Sequence, residues 1–476
     1  MSVITRFAPS PTGYLHIGGA RTALFNYLFS KHHGGQFLLR IEDTDRERST
    51  QSAIDAIMTG LDWLQLHHQG EIVLQSRNAP RHAEVANQML AAGTAYRCFA
   101  SPEELAEMRA AQVAAKQPQK YDGRWRDRDP SETRAMVAAG KPFVIRLRAE
   151  QGGATTIDDR VQGAVKVENS QMDDLVLLRA DGSPTYMLSV VVDDHDMAIT
   201  HVIRGDDHLT NSFRQAQIYR ANGWQVPEFA HIPLIHGADG TKLSKRHGAV
   251  DLNQWRLDGY LPEAMRNYLL RLGWSHGDSE IISDQQAIEW FSLEAVGRSP
   301  SRLDAKKLNS VNGHYINQLS DDDLLARLKP YIDYPLPDPV VARLKMVYCL
   351  KKDMNYSAMM GLKQRSKTMI ELADLLRVYC CRPTSQTDKA RALVATYAAI
   401  DHSPAVLQQA MSGYDSATTS PLELVQSLTS LGDKYSEMLR IALSGATVSP
   451  PLDDLIFVLG RDEVLARIGG LELLSP

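Results

Sequence analysis

A chain of 476 residues, 43% hydrophobic and 23% charged, holds apolar material for several cores, and at about 150 residues each it suggests roughly three domains. It lacks the run of about 18 apolar residues that a membrane-spanning helix needs, and Met1–Arg6 lacks a basic and then apolar leader. With four cysteines (Cys98, Cys349, Cys380, Cys381), none in a Cys-x-x-Cys pair, the expectation is a reduced, cytoplasmic protein, and a formal net charge of −5 alone does not point to nucleic acid.

In chain order, Ser2 to Ala8 reads as a short strand broken by Pro9, Pro11 and Gly13. Gly18 to His32 follows as a helix, with Leu24, Tyr27 and Leu28 at helical spacing. Gln36–Ile41 predicts a second strand and Thr50–Leu64 a second helix, the alternation of a parallel sheet with crossover helices. From Ser101 to about Val192 the texture changes. A charged helix (Pro102–Lys116) leads into predicted strands at Phe143–Arg148, Val161–Val167, Leu175–Leu178 and Tyr186–Val192, the pattern of an α+β insertion. Alternating elements resume at Thr200–Ile235, and beyond Asp321 nearly everything reads as helical. Met369–Tyr379, for example, places Leu372, Leu375, Leu376 and Tyr379 on one face.

Charge is unevenly spread. Between Val340 and Arg391 eleven Lys and Arg stand against four Asp and Glu, a local +7 that leaves −12 on the rest. That is the form of a localised phosphate-binding surface, or of a solvated helical face.

Two elements suggest nucleotide chemistry. In Phe7-Ala8-Pro9-Ser10-Pro11-Thr12-Gly13-Tyr14-Leu15-His16-Ile17-Gly18-Gly19 a strand ends, a tight loop follows, and a helix starts after His16. A helix N-terminus offers unpaired N–H groups to an anion, Gly18 and Gly19 allow close approach, and His16 can donate to phosphate. Farther on, Lys242-Leu243-Ser244-Lys245-Arg246 sets two lysines three apart, point charges suited to a polyphosphate. Each pattern is weak singly; the two in this order, with an insertion between, are specific.

These residues resemble the class I aminoacyl-tRNA synthetases and, within them, the bacterial glutamyl-tRNA synthetases. His16–Gly19 is similar to that family's first nucleotide element and Lys242–Arg246 to its second. Longer matches are Arg6–Gly13, Leu39-Arg40-Ile41-Glu42-Asp43-Thr44-Asp45 and Val202-Ile203-Arg204-Gly205-Asp206-Asp207-His208, and the likeness runs on through Leu362–Thr368 to Leu459-Gly460-Arg461.

The resemblance implies an α/β fold: a Rossmann-type parallel-sheet catalytic domain (1–97 and 193–240) interrupted by an α+β acceptor-arm insertion (98–192). A stem-contact region with the lysine loop (241–320) and an all-α anticodon-binding domain (321–476) would follow. It implies a monomeric ligase that activates L-glutamate with ATP, Mg²⁺ bridging the phosphates, and transfers it to tRNA(Glu), with tRNA(Gln) left open as a second acceptor. His16, Lys242 and Lys245 would be catalytic; Pro9, His16, Gly18, Gly19, Lys242, Ser244 and Lys245 would bind ATP. Arg6 and Arg204 would take glutamate's carboxylates, Glu42 its ammonium, and Ala8, Ser10 and Tyr186 would complete the pocket; the competing reading pairs Arg6 with Glu42. Lys363 and Lys367, spaced i, i+4 on one helix, would contact tRNA with Arg365.

Some relatives hold zinc with a Cys-x-Cys pair and a later Tyr and Cys. Here Cys98 and Tyr121 remain but Trp125 replaces the later cysteine, so no structural zinc is expected. A glutaminyl-tRNA synthetase would end in β-barrels, a tRNA-modifying glutamyl transferase would lack the helical end, and an inactive tRNA-binding paralogue would have lost one of the named residues.

Overall fold

The computed structural model describes residues 2–11, 13, 15–45, 48–241, 251–349, 355–398, 403–415 and 419–471. They form two compact units, Met1–Trp255 with Met265–Asp304, and Arg256–Ala264 with Ala305–Pro476. No helix among them is long and apolar enough to cross a membrane.

The first unit begins β1 (Ile4–Phe7), α1 (Ile17–His32), β2 (Gln36–Ile41), α2 (Gln51–Trp63), β3 (Val73–Leu74), α3 (Ala79–Ala91). Strand β1 pairs in parallel with β2, from Ile4 opposite Gln36 to Phe7 opposite Leu39, and β2 with β3. Next come β4 (Ala95–Cys98), α4 (Pro102–Ala114), α5 (Pro130–Ala138), β5 (Val144–Leu147), β6 (Ala154–Asp159), β7 (Gly163–Glu168) and β8 (Val176–Leu178). Here β4, β5 and β8 make an antiparallel sheet and β6–β7 a hairpin. The parallel pattern returns with α6 (Tyr186–Asp196), β9 (His201–Gly205), α7 (Leu209–Ala221) and β10 (Glu228–Ile232), β9 pairing in parallel with β10. Strand β9 lies beside β1: the Thr200 amide donates to Ile4 O (3.0 Å) and the Ile4 amide to Thr200 Oγ1 (2.8 Å). The order β3-β2-β1-β9-β10 therefore reverses between β1 and β9, the place where a doubly wound sheet opens a crevice at its strand ends.

One sequence expectation fails: Tyr186–Val192 begins helix α6 rather than forming a strand. Leu188, Val190, Val191 and Val192 are all buried, and so are Ser189, Asp193 and Asp194. A helix enclosed on every side shows no period to read, and three successive valines mimic a strand.

Two details position α1. Arg21, buried within it, donates from Nη1 to Leu272 O (2.8 Å) and from Nη2 to Pro233 O. Burial lowers its guanidinium pKa to about 10, against the opposing charge of Asp206. At the other end Gly34 takes a left-handed φ of +62° and Gly35 passes under β1, where a Cβ would stand 2.0 Å from Val3 O.

In the second unit the helices Ala358–Arg365 and Met369–Cys380 are each opened by a hydroxyl cap, Ser357 accepting from the Met360 amide and Thr368 from the Glu371 amide. Leu372, Leu376 and Tyr379 are buried as their spacing predicts.

Because Val3 O already accepts from the Gln36 amide at 2.8 Å, it cannot retreat without unpairing β1 from β2. Gly35→Ala should therefore cost about 1–3 kcal/mol of stability, read as a lowered urea midpoint, whereas Gly152→Ala, in open space, should leave it unchanged.

Candidate active site

The loop after β1 delivers the first group of side chains. Helix α1 starts at Ile17, with His16 as its N-cap: Nδ1 accepts from the Gly19 amide at 3.1 Å. That bond leaves the proton of the neutral ring on Nε2. A Cβ on Gly18 would sit 3.2 Å from the His16 ring, and one on Gly19 3.0 Å from Leu15, so both glycines keep this turn closely folded. His16 also forms a backbone bridge to Asp251, and the Leu252 amide donates to Leu15 O at 3.1 Å. Lys242, Ser244 and Lys245 lie outside the described residues.

The second group is held by charge. Arg6, on β1 and 4% exposed, donates from Nε to Asp194 Oδ1 (2.9 Å) and from Nη2 to Asp194 Oδ2 (3.4 Å). Arg40, fully buried on β2, donates from Nη1 to the same Oδ1 (2.6 Å) and from Nη2 to Glu42 Oε1 (3.1 Å). Arg6 and Glu42 thus do not pair with each other: each has its own partner, Asp194 and Arg40. Burial alone would raise the pKa of Asp194, but Arg40 and Arg6 outweigh it and hold the carboxyl below its ordinary range. For Glu42 burial wins over Arg40, and its pKa stands above the ordinary value. The Glu42 amide donates to Pro9 O (3.0 Å), drawing together the loops that leave β1 and β2. In the β1 loop Ala8 and Pro9 are half-buried and Ser10 is exposed.

Beside Asp194, the neighbouring carboxylate has partners of its own. Asp193 accepts from Gln75 Nε2 (2.9 Å) and Asn78 Nδ2 (2.8 Å) and lies 2.8 Å from His82 Nε2.

Arg204, at the carboxyl end of β9, completes the site. Its Nε donates to His231 Nε2 (3.1 Å), and Nη2 donates to Ser212 Oγ (2.6 Å) and Gln215 Oε1 (2.8 Å). Its Nη1 is buried with no hydrogen-bond partner. Tyr186, the first residue of α6, lies with its hydroxyl 3.2 Å from His208 Nδ1. Burial pushes its phenol up; Glu42 adds to that and Arg204 and Arg6 oppose it. Arg6, Glu42, Tyr186 and Arg204 therefore act on one another electrostatically, a grouping of cationic donors with a carboxylate.

Sequence reasoning missed Asp194, Asp193 and His82, and used Arg40 only as part of a motif. Their signal was available: acidic residues directly after the apolar run Leu188–Val192, and a basic residue inside the otherwise apolar Phe37–Ile41. Buried charges need partners, and these are each other's.

In the second unit the expected shared face is absent. The helix ends at Arg365, and Ser366, at φ −90° and ψ 136°, is extended, so Lys363 and Lys367 are not on one helix. A Ser-x-Thr sequence that back-bonds and caps, Ser366 Oγ to Leu362 O (2.8 Å) and Thr368 to the next helix, broke the register. Lys363 is buried, its Nζ donating to Leu319 O (2.6 Å) and paired with Asp321 (2.6 Å). Arg365 and Lys367 are exposed.

Among the described residues no group of three His, Cys, Asp or Glu side chains could hold a metal ion. Cys98 instead donates from Sγ to Tyr121 Oη (3.3 Å), Tyr121 Oη accepts from the Trp125 amide (3.0 Å), and the Arg146 guanidinium lies 3.8 Å from the Tyr121 ring centre.

Residues 2–310 match the model for the catalytic domain of tRNA synthetases class I (E and Q), and residues 323–471 that of an anticodon binding domain. The chain is similar to glutamate–tRNA ligase 2 of Rhodospirillum centenum, 54% identical with 98% of each chain covered. It is similar to glutamate–tRNA ligase 2 of Zymomonas mobilis subsp. mobilis, 54% identical over 100% of this chain and 98% of that one. Of solved structures, it is similar to a glutamate tRNA ligase from Elizabethkingia meningosepticum in complex with its amino acid: 31% identity, 100% of both chains, TM-score 0.84. A glutamate-tRNA synthetase from Elizabethkingia anophelis gives 31%, 99% of both chains and 0.81.

Asp194→Ala would leave two buried guanidiniums short of an acceptor and should destabilise the fold by about 3–5 kcal/mol. Since the folded-state pKa is depressed, this stabilisation is complete above the unfolded value of about 3.9 and is lost as pH falls through the folded one. Acid titration followed by circular dichroism should show the parent losing stability below about pH 4 more steeply than the variant.

Proposed function

The chain belongs to the class I tRNA synthetases (E and Q), and we propose from that premise that it is a glutamate–tRNA ligase with its amino-acid pocket formed by Arg6, Ala8, Ser10, Glu42, Tyr186 and Arg204. The observation that carries the reading is the buried, unpartnered Nη1 of Arg204. A buried guanidinium N–H without an acceptor is costly, and a carboxylate in the crevice would satisfy it. Arg6, with Nε and Nη2 on Asp194, has Nη1 for the second carboxylate. Glu42, held by Arg40, takes the ammonium. Glutamine would bring a weaker, partly donating amide to Arg204, so selection for glutamate follows from the site itself.

The chemistry is two displacements. An α-carboxylate oxygen of glutamate attacks the α-phosphorus of ATP and diphosphate leaves. A ribose hydroxyl of the tRNA 3′-terminal adenosine then attacks the activated carbonyl, and AMP leaves. No protein nucleophile is required; positioning and charge stabilisation supply the rate. Pro9, Gly18, Gly19 and the first turn of α1 would receive the nucleotide, with His16 donating to phosphate. Lys242 and Lys245 would bring charge, and Ser244 a hydroxyl, to the polyphosphate as it separates, and the bridge from His16 to Asp251 supports this by anchoring the chain just after residues 242–250 beside the same turn. Mg²⁺ carried in with ATP would neutralise phosphate charge.

For tRNA, residues 98–192 would receive the acceptor arm, 241–320 the stem and 321–476 the anticodon. Much of the basic segment is already engaged: Lys345 with Asp322, Arg377 with Asp333, Arg382 with Glu463 and Arg391 with Asp388. Arg365 and Lys367 are the better candidates for phosphate contact, and Lys363 the poorer. The protein would act as a monomer.

Glutamylation of tRNA(Glu) and tRNA(Gln), assayed separately with labelled glutamate and ATP, should charge tRNA(Glu). Charging of tRNA(Gln) as well would mark a non-discriminating enzyme, and charging of neither would overturn the proposal. Lys245→Ala should slow adenylate formation by two or more orders of magnitude, the size of one electrostatic donor, with tRNA affinity by filter binding nearly unchanged; collapse of tRNA binding alone would refute the role given to that loop.

A further inference from the structure

Behind Arg204 stands a relay that no ligand would touch. His231, on β10 and fully buried, presents Nε2 to Arg204 Nε, with Ser212 Oγ also 3.1 Å away. Because Arg204 Nε can only donate, His231 Nε2 accepts, and the ring's proton sits on Nδ1. Nδ1 lies 2.5 Å from Oδ2 of Asp159, the last residue of β6, and donates to it. Asp159 is itself fixed: Oδ1 accepts from the Val161 amide (3.0 Å) and the Gln162 amide (2.8 Å), and the His231 amide donates to both oxygens at 3.1 Å. The ring stacks beside Phe229 (5.9 Å between centres, 17° between planes).

We propose that Asp159, acting through the tautomer of His231, is a positioning residue for Arg204 and thereby sets the pocket's selection of an anionic over an amide side chain. This rests on the reading of Arg204 as the carboxylate ligand. The surroundings keep the imidazole neutral, as an acceptor must be: burial lowers its pKa, Arg204 and His208 lower it further, and Asp159 opposes them. The relay also ties the β6–β7 hairpin, outside the parallel sheet, to amino-acid selection.

Asp159→Asn tests it in the full chain. Two backbone amides require an oxygen at Oδ1, so the new amide nitrogen would face His231 Nδ1. The imidazole proton must then move to Nε2, opposing the Arg204 Nε donor. Glutamate KM should rise roughly tenfold or more, the value of a hydrogen bond to a charged group. The KM values for ATP and tRNA should stay unchanged, and glutamate-over-glutamine discrimination should fall. The ¹⁵N imidazole resonances of His231 should switch tautomer. In a His231→Gln background, where an amide oxygen accepts without any tautomer, Asp159→Asn should add nothing. An unchanged glutamate KM, a parallel rise in all three KM values, or an undiminished effect in that background would each overturn the proposal. If Arg204→Lys itself left glutamate KM unaltered, the pocket reading would fail instead.

Discussion

Two arginines sit buried on adjacent parallel strands, and a low-dielectric interior tolerates them because one carboxylate lies between them. Asp194 receives Arg6 from β1 and Arg40 from β2, and it comes from α6, which follows β8. Much else depends on that meeting point. It fixes the direction of Arg6, leaves Arg40 an arm for Glu42, and obliges α6 to be buried with its acids inward. Asp193 beside it needs partners of its own from Gln75, Asn78 and His82, so the segment joining β3 to α3 is drawn into the same network. Charge satisfaction here constrains the fold as firmly as apolar packing does.

The alternating first elements could be read from the sequence because each has one buried face and one freer one. Arg6, Glu42 and Arg204 were visible within longer matches, and the structure brings them together with Tyr186. The partners that hold them were not visible. Asp194 lies 188 positions from Arg6, and Asp159, which meets Arg204 only through His231, lies 72 from that histidine; sequence spacing carries no information about contacts closed at such range. Helix α6 hid behind its valines. The turn at His16 was legible because its cap, glycines and helix start are all local.

Net charge counted along a segment misled in another way. The surplus between Val340 and Arg391 reads as an exposed basic face, yet several of its cations meet acids supplied by neighbouring segments, Asp322, Asp333 and Glu463 among them. What a surface presents to a polyanion is the charge left after such pairing, and that is a property of tertiary structure.

The guanidinium of Arg204 is gripped on Nε and Nη2 by His231, Ser212 and Gln215 before any substrate arrives. Most side chains that greet a ligand must surrender rotamer freedom, at about 0.5–1.5 kcal/mol each. Here that entropy was already lost when the chain folded. In the proposed pocket a small, highly hydrated amino acid, offering few atoms with which to bind, would thus meet a partner whose order is inherited from folding and need not be created at each encounter.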